Sequence, residues 1–175
     1  WEEKSLDKTS ANKNILKSII VITREEQEAR LFRERLIALN WLDEKIITVS
    51  TGSSFELMDE NHFVINPTVK EDYTRLFQEL ENIEYSIDAI CFATSVNQLR
   101  VPHQVNSAFD EVLEYGIYSF LSLCQSIIQS KKEQDCRLIY LYNNINNDIR
   151  PENDAVNGFV KIMQAESPRL KCKVL

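Results

Sequence analysis

The chain has 175 residues, 43% of them hydrophobic and 27% charged, enough for one domain around a single core. A net charge of -7, with no Lys/Arg cluster, argues against nucleic acid and anionic membrane surfaces, which are held through neutralised phosphate. No apolar run approaches the roughly 20 residues of a membrane span, and the polar N-terminus carries no signal-peptide pattern.

Residues 1–16 are polar apart from Trp1, Leu6, Ile15 and Leu16 and read as a lead-in to one domain over 17–175. Ser18 to Thr23 is the first predicted strand. Glu25 to Asn40 follows as a helix, with Ala29, Phe32, Leu36 and Leu39 at helical spacing. Lys45 to Ser50 is a β-branched strand. Phe55 to Asp59 and His62 to Ile65 suit a hairpin turning at Glu60-Asn61. Pro67-Thr68 opens a helix whose apolar stripe is Val69, Tyr73, Leu76, Phe77 and Leu80.

Ile87 to Val96 is near-continuously apolar, as in a strand covered on both faces. Phe109 to Gln129 carries the strongest helical periodicity, with Gly116 on its apolar side. Arg137 to Tyr142 reads as another buried strand. Asn153 to Glu166 is a helix with Ala155, Val156, Phe159, Val160 and Met163 inward, and Gly158 as a second close-packing point. Ser167-Pro168 stops it, and Leu170 to Leu175 begins a last strand. The alternation implies an α/β fold: a truncated Rossmann-like, mostly parallel sheet with helices on both faces.

Chemistry is sparse. The three glycines, Gly52, Gly116 and Gly158, cannot form G-x-G-x-x-G or a P-loop. The junction after the first strand reads Thr23-Arg24-Glu25-Glu26, and its carboxylates (with Glu28) repel phosphate while stabilising a helix start. No tyrosine has lysine four residues later, and no Gly-x-Ser-x-Gly elbow exists. Cys91, Cys124, Cys136 and Cys172 are too widely spaced for a zinc site; they read as free thiols, in keeping with a reducing cytoplasm. Asp148, Glu152 and Asp154 around Pro151 suit helix capping better than metal binding. His103, in the loop after the apolar strand, is the one candidate general base. The sequence therefore offers no catalytic, cofactor-binding or metal-ligating set.

Several stretches in order resemble the structural subdomain of a modular, bacterial polyketide synthase ketoreductase: "WEEKSL", "YTRLFQEL" before "IDAICFATS", "LEYGIYSFLSLCQSI" and "DAVNGFVKIMQAESPRLKCKVL". Many members of that family place His and Trp where this chain has Cys91-Phe92-Ala93. The resemblance implies a non-catalytic half whose glycine-free junction serves packing. NADPH and the catalytic Ser, Tyr and Lys would then belong to a second half beyond Leu175. It implies as partners that catalytic subdomain in cis, an acyl carrier protein and other synthase domains. Both ends look cut, and Trp1 with Leu6 is the expected interface to the missing half. The alternatives are a pseudo-ketoreductase remnant beside a methyltransferase or enoylreductase domain, or a free-standing α/β enzyme using His103.

Overall fold

The structure, a computed structural model, describes residues 17–41, 45–95, 110–130, 135–142 and 151–175, with side chains in the last stretch from Asp154 onward. The strands are β1 (Ile19–Thr23), β2 (Ile46–Thr51), β3 (Glu56–Asp59), β4 (His62–Ile65), β5 (Ala89–Ser95), β6 (Cys136–Tyr142) and β7 (Leu170–Val174). They form one sheet in the order β3-β4-β2-β1-β5-β6-β7, parallel throughout except for β3, which runs antiparallel to β4. The helices are α1 (Glu26–Ala38), α2 (Lys70–Asn82), α3 over 110–129 and α4 (Pro151–Glu166). This is the predicted α/β, Rossmann-like architecture, with the predicted hairpin at β3-β4.

Two apolar layers flank the sheet. On one face Ile20, Ile22, Val49, Ile90, Phe92 and Tyr140 pack against α2, α3 and α4. On the other, Ile19, Val21, Ile46, Ala89, Cys91 and Ala93 pack against Phe32 and Leu36 of α1 and against Trp41. β1 is buried at all five positions because it has a strand on each side and helices above and below.

Two helices end without glycine. After α1, Asn40 has φ 64°, and the Trp41 amide reaches back to Leu36 O at 3.1 Å. After α2, Glu84 has φ 54°, and the Tyr85 amide reaches Leu80 O at 2.8 Å. Each is the six-to-one bond of a Schellman ending, whose left-handed position favours Gly and tolerates Asn. Glu is strained there. The buried Tyr85 hydroxyl then donates to the carbonyls of Ile19 (3.2 Å) and Lys45 (2.7 Å), tying this ending to the starts of β1 and β2.

Three details depart from the sequence reading. α3 is not a uniform α-helix, since Leu113–Tyr118 forms a π segment before the α segment Ser119–Gln129. Gly116 is buried in it as expected: a Cβ there would lie 3.3 Å from Ser95 Oγ and 3.4 Å from Tyr140 Oη. Gly158 is not on a buried face; it is exposed, as is Ala155, and a Cβ at Gly158 would meet nothing within 4 Å. β6 is only partly buried, because its covered residues are those facing α3 and α4.

His62 is buried under α1's face of the sheet, with Nδ1 2.8 Å from Thr48 Oγ1 and Nε2 3.1 Å from Ser50 Oγ. Burial lowers its pKa below the usual 6.5, partly opposed by the charges of Asp59 and Glu26. The unfolded chain therefore binds this proton more readily than the folded one. The stabilisation is complete above about pH 6.5 and is lost as pH falls through the depressed folded value. Urea midpoints between pH 7.5 and 5.5 should fall for the natural chain and stay flatter in His62→Gln. A parallel fall in both would remove His62 as the cause. Glu84→Gly relieves the left-handed strain and should raise stability by about 0.5–1 kcal/mol, seen as a higher urea midpoint at unchanged m-value.

Candidate functional site

In open α/β sheets ligands sit beyond the strand C-termini where the chain reverses its direction of winding. Here that point lies between β1 and β5. Its floor is Thr23, Thr94 and Ser95, all buried. The crevice is closed by Arg24. Its carbonyl accepts from the Thr51 amide (3.2 Å) and the Thr51 hydroxyl (2.8 Å), which fixes the backbone. Its guanidinium lies 4.6 Å from the centroid of the Tyr115 ring and 2.8 Å from Glu111 Oε2. Both partners come from the start of α3. The ion pair is partly exposed and worth at most about 1 kcal/mol, with a similar amount from the cation–π contact.

The N-terminus of α1, which would otherwise hold an anion, is met by its own side chain. One carboxylate oxygen of Glu28 accepts from the amides of Arg24 (3.2 Å) and Glu25 (3.4 Å). The Thr23 hydroxyl donates to Glu25 O at 3.0 Å. A phosphate placed there would displace a carboxylate from its donors and then face the neighbouring glutamates.

Below Arg24 the C-terminal end of β5 is locked to the π segment. Thr94 Oγ1 donates to Tyr115 O at 2.5 Å, and the hydroxyls of Ser95 and Tyr140 share a 2.8 Å bond. Tyr140 stacks on Phe92 and takes Phe120 edge-on, with centroids 5.6 and 5.0 Å away. Gly116 sits directly over this pair, where a Cβ would be in tight contact with both hydroxyls. The Ser95 hydroxyl is therefore bonded to a phenol, not to a base that would activate it.

The remaining candidate groups are held in unreactive forms. Burial raises the Tyr73 phenol, which shares a 2.6 Å bond with Ser119. Burial also raises Cys91 to about 12 and Cys172 to about 11, and raises Cys124, so these thiols stay protonated near neutral pH. Among the described residues, no three His, Cys, Asp or Glu groups converge as a metal site requires, and no helix is long and apolar enough to cross a membrane. Trp1, Leu6, His103 and Asp148 lie outside the described residues, as does the Glu152 side chain; Asp154 is exposed.

The sequence reading found the acidic junction but missed Arg24, whose partners lie on α3. The only signal was the i, i+4 pair of an acid and an aromatic, Glu111 and Tyr115, at the start of the strongest helical pattern.

No curated protein sequence matches the chain. Among solved structures it is similar to an N-terminal ketoreductase from the macrolactin assembly line, at 24% identity and TM-score 0.77, over 90% of this chain and 32% of that one. A multidomain structure with adenylation, ketoreductase and pseudo Asub parts, from a keto acid-selecting NRPS module, matches at 21% identity and TM-score 0.77, over 98% and 14%. A short-chain dehydrogenase/reductase variant from Serratia marcescens matches at 11% identity and TM-score 0.63, over 91% and 77%. The chain thus spans under a third of each of the first two, and the likeness to all three is one of fold. Residues 17–175 match the family model described as "Beta-ketoacyl synthase-like, N-terminal", and the chain belongs to that family.

Proposed function

We propose that the chain is the non-catalytic structural half of a ketoreductase in a multifunctional polyketide synthase. It supports in cis a half that binds NADPH and reduces a carrier-bound β-ketoacyl group. The observation that carries the reading is the outer face of α3 and α4. Gly158 stands there in mid-helix with nothing within 4 Å of where its Cβ would be, on the same exposed side as Ile162, which is 60% exposed. Tyr118 on α3 is 52% exposed, and Leu121 is half-buried. A mid-helix glycine costs about 1 kcal/mol against alanine. Nothing among the described residues uses the space it leaves, so a second body of the same polypeptide is the natural occupant. The filled crevice supports the other part of the reading: Arg24 and Glu28 occupy the positions a dinucleotide would need.

The proposal makes two checks available. The isolated chain should show no saturable heat on calorimetric titration with millimolar NADPH; a micromolar dissociation constant would contradict the non-catalytic reading. Gly158→Leu should have opposite effects in two contexts. In the isolated chain it should raise stability by about 0.8 kcal/mol, through helix propensity alone. In the parent polypeptide it should overpack the junction, lowering the melting temperature and the NADPH-dependent reduction of a β-ketoacyl thioester. An equal gain in both would mean that this face meets nothing.

A further inference from the structure

The strand register aligns residues across the sheet. One lateral row runs Ile46, Ile19, Ala89, Arg137, Lys171, and the next runs His62, Thr48, Val21, Cys91, Ile139, Lys173. Lateral neighbours in a parallel ladder point to one face, and the core partners of Ile19 and Val21 identify it as the face carrying α1. Burial declines along both rows. Ile46, Ile19 and Ala89 are buried, Arg137 is half-buried and Lys171 exposed; Cys91 is buried, Ile139 half-buried and Lys173 exposed. Leu141, which packs against the same layer, is also half-buried.

The cause is coverage. α1 packs on β1 and β2, while α2, α3 and α4 contribute to the layer on the opposite face. Among the described residues no helix lies over β6 and β7 on α1's side. Parallel strands are normally covered on both faces. The uncovered strip is two strands wide, close to the roughly 10 Å diameter of one helix, and long enough for a helix of about 15 residues.

The charges on the strip select the occupant. Arg137, Lys171 and Lys173 give it a cationic rim on a chain of net charge -7. Lys171 meets Asp135 at 3.1 Å, with both side chains more than 60% exposed, a pair weak enough to exchange. Lysines on an edge strand also guard against strand pairing. Arg137, however, is on the inner strand β6, where no such guard is needed. A second copy of the chain would set like charges face to face.

We propose that this strip docks an amphipathic helix from a protein partner, with its apolar stripe on Ile139 and Leu141 and acidic flanks toward Arg137, Lys171 and Lys173. The site lies on the opposite side of the sheet from α3 and α4 and does not depend on the docking described above.

The test uses the full 175-residue chain, isotope-labelled, and a synthetic helical peptide of about 16 residues with leucines on one face and glutamates on its flanks. Chemical-shift changes should gather at Ile139, Leu141, Lys171 and Lys173 and leave Phe159 and Ile162 unmoved. Lys171→Glu with Lys173→Glu should weaken binding about tenfold and confer binding of a lysine-flanked version of the peptide. Both lysines are exposed, so the variant should fold. No shift changes, changes centred on α3 and α4, or equal affinity after charge reversal would each overturn the proposal.

Discussion

The handedness of strand crossovers governs the molecule. A connection between parallel strands is almost always right-handed, so its helix falls on a face set by the direction of travel. From β1 to β2 the chain moves one way, and α1 takes one face. From β4 to β5, and then through β6 to β7, it moves the other way, and α2, α3 and α4 gather on the opposite face. A helix between β2 and β4 would have joined α1. The chain makes an antiparallel strand, β3, in its place. Among the described residues one helix is left to cover what three cover on the other side.

That imbalance explains where the side chains are small and where they are wet. On the three-helix face large aromatics interlock: Phe92, Phe120 and Tyr140 lie within 5.0–5.6 Å of one another, extended by Phe159 at 6.2 Å. On the single-helix face the central strand β5 presents Ala89, Cys91 and Ala93, and β2 and β4 use a satisfied polar group, Thr48–His62–Ser50. A buried polar group with both ring nitrogens bonded costs little, but it adds no hydrophobic stabilisation. The aromatic cluster also dictates α3. Thr94 and the Ser95–Tyr140 pair bond close under the helix at Gly116, and the π segment brings the Tyr115 carbonyl onto Thr94 Oγ1. Tyr115 and Glu111 then close over Arg24. Packing thus extends into the crevice beyond the C-termini of β1 and β5.

Much of this was legible in the sequence. The central strands were continuous apolar runs, and the period change from strand to helix marked each crossover. What was not legible depended on which neighbour a residue meets. "RLIYLY" reads the same whether a helix covers one face or two, so the half-exposure of Ile139 and Leu141 had no local signature. Helix α4 has an inward side, Val156-Val160-Met163 with Phe159 at its margin against Phe120, and an exposed side with Ala155 and Ile162, to which Gly158 belongs. Periodicity gave no means of telling which side meets the chain's own sheet. The role of Arg24 is likewise tertiary, since its ion-pair partner lies 87 residues away. The strained Glu84 was invisible for a related reason. A glycine would have announced the left-handed ending, and this chain places glycine elsewhere.

The two incompletely covered surfaces differ in chemistry. Around Gly158 the outer face of α4 is apolar, with a gap that favours close backbone approach. The β6-β7 strip is narrow, partly apolar and rimmed by three cations. The charges separate their partners: a purely apolar face laid on the strip would desolvate Arg137 and Lys173 without supplying counter-charges, whereas the surface around Gly158 and Ile162 asks for none. Because the sheet lies between them, filling one surface does not obstruct the other. Both occupants can be present at once: the one on the strip would complete the layer that the crossovers leave with a single helix, and the other would pack outside the three-helix layer.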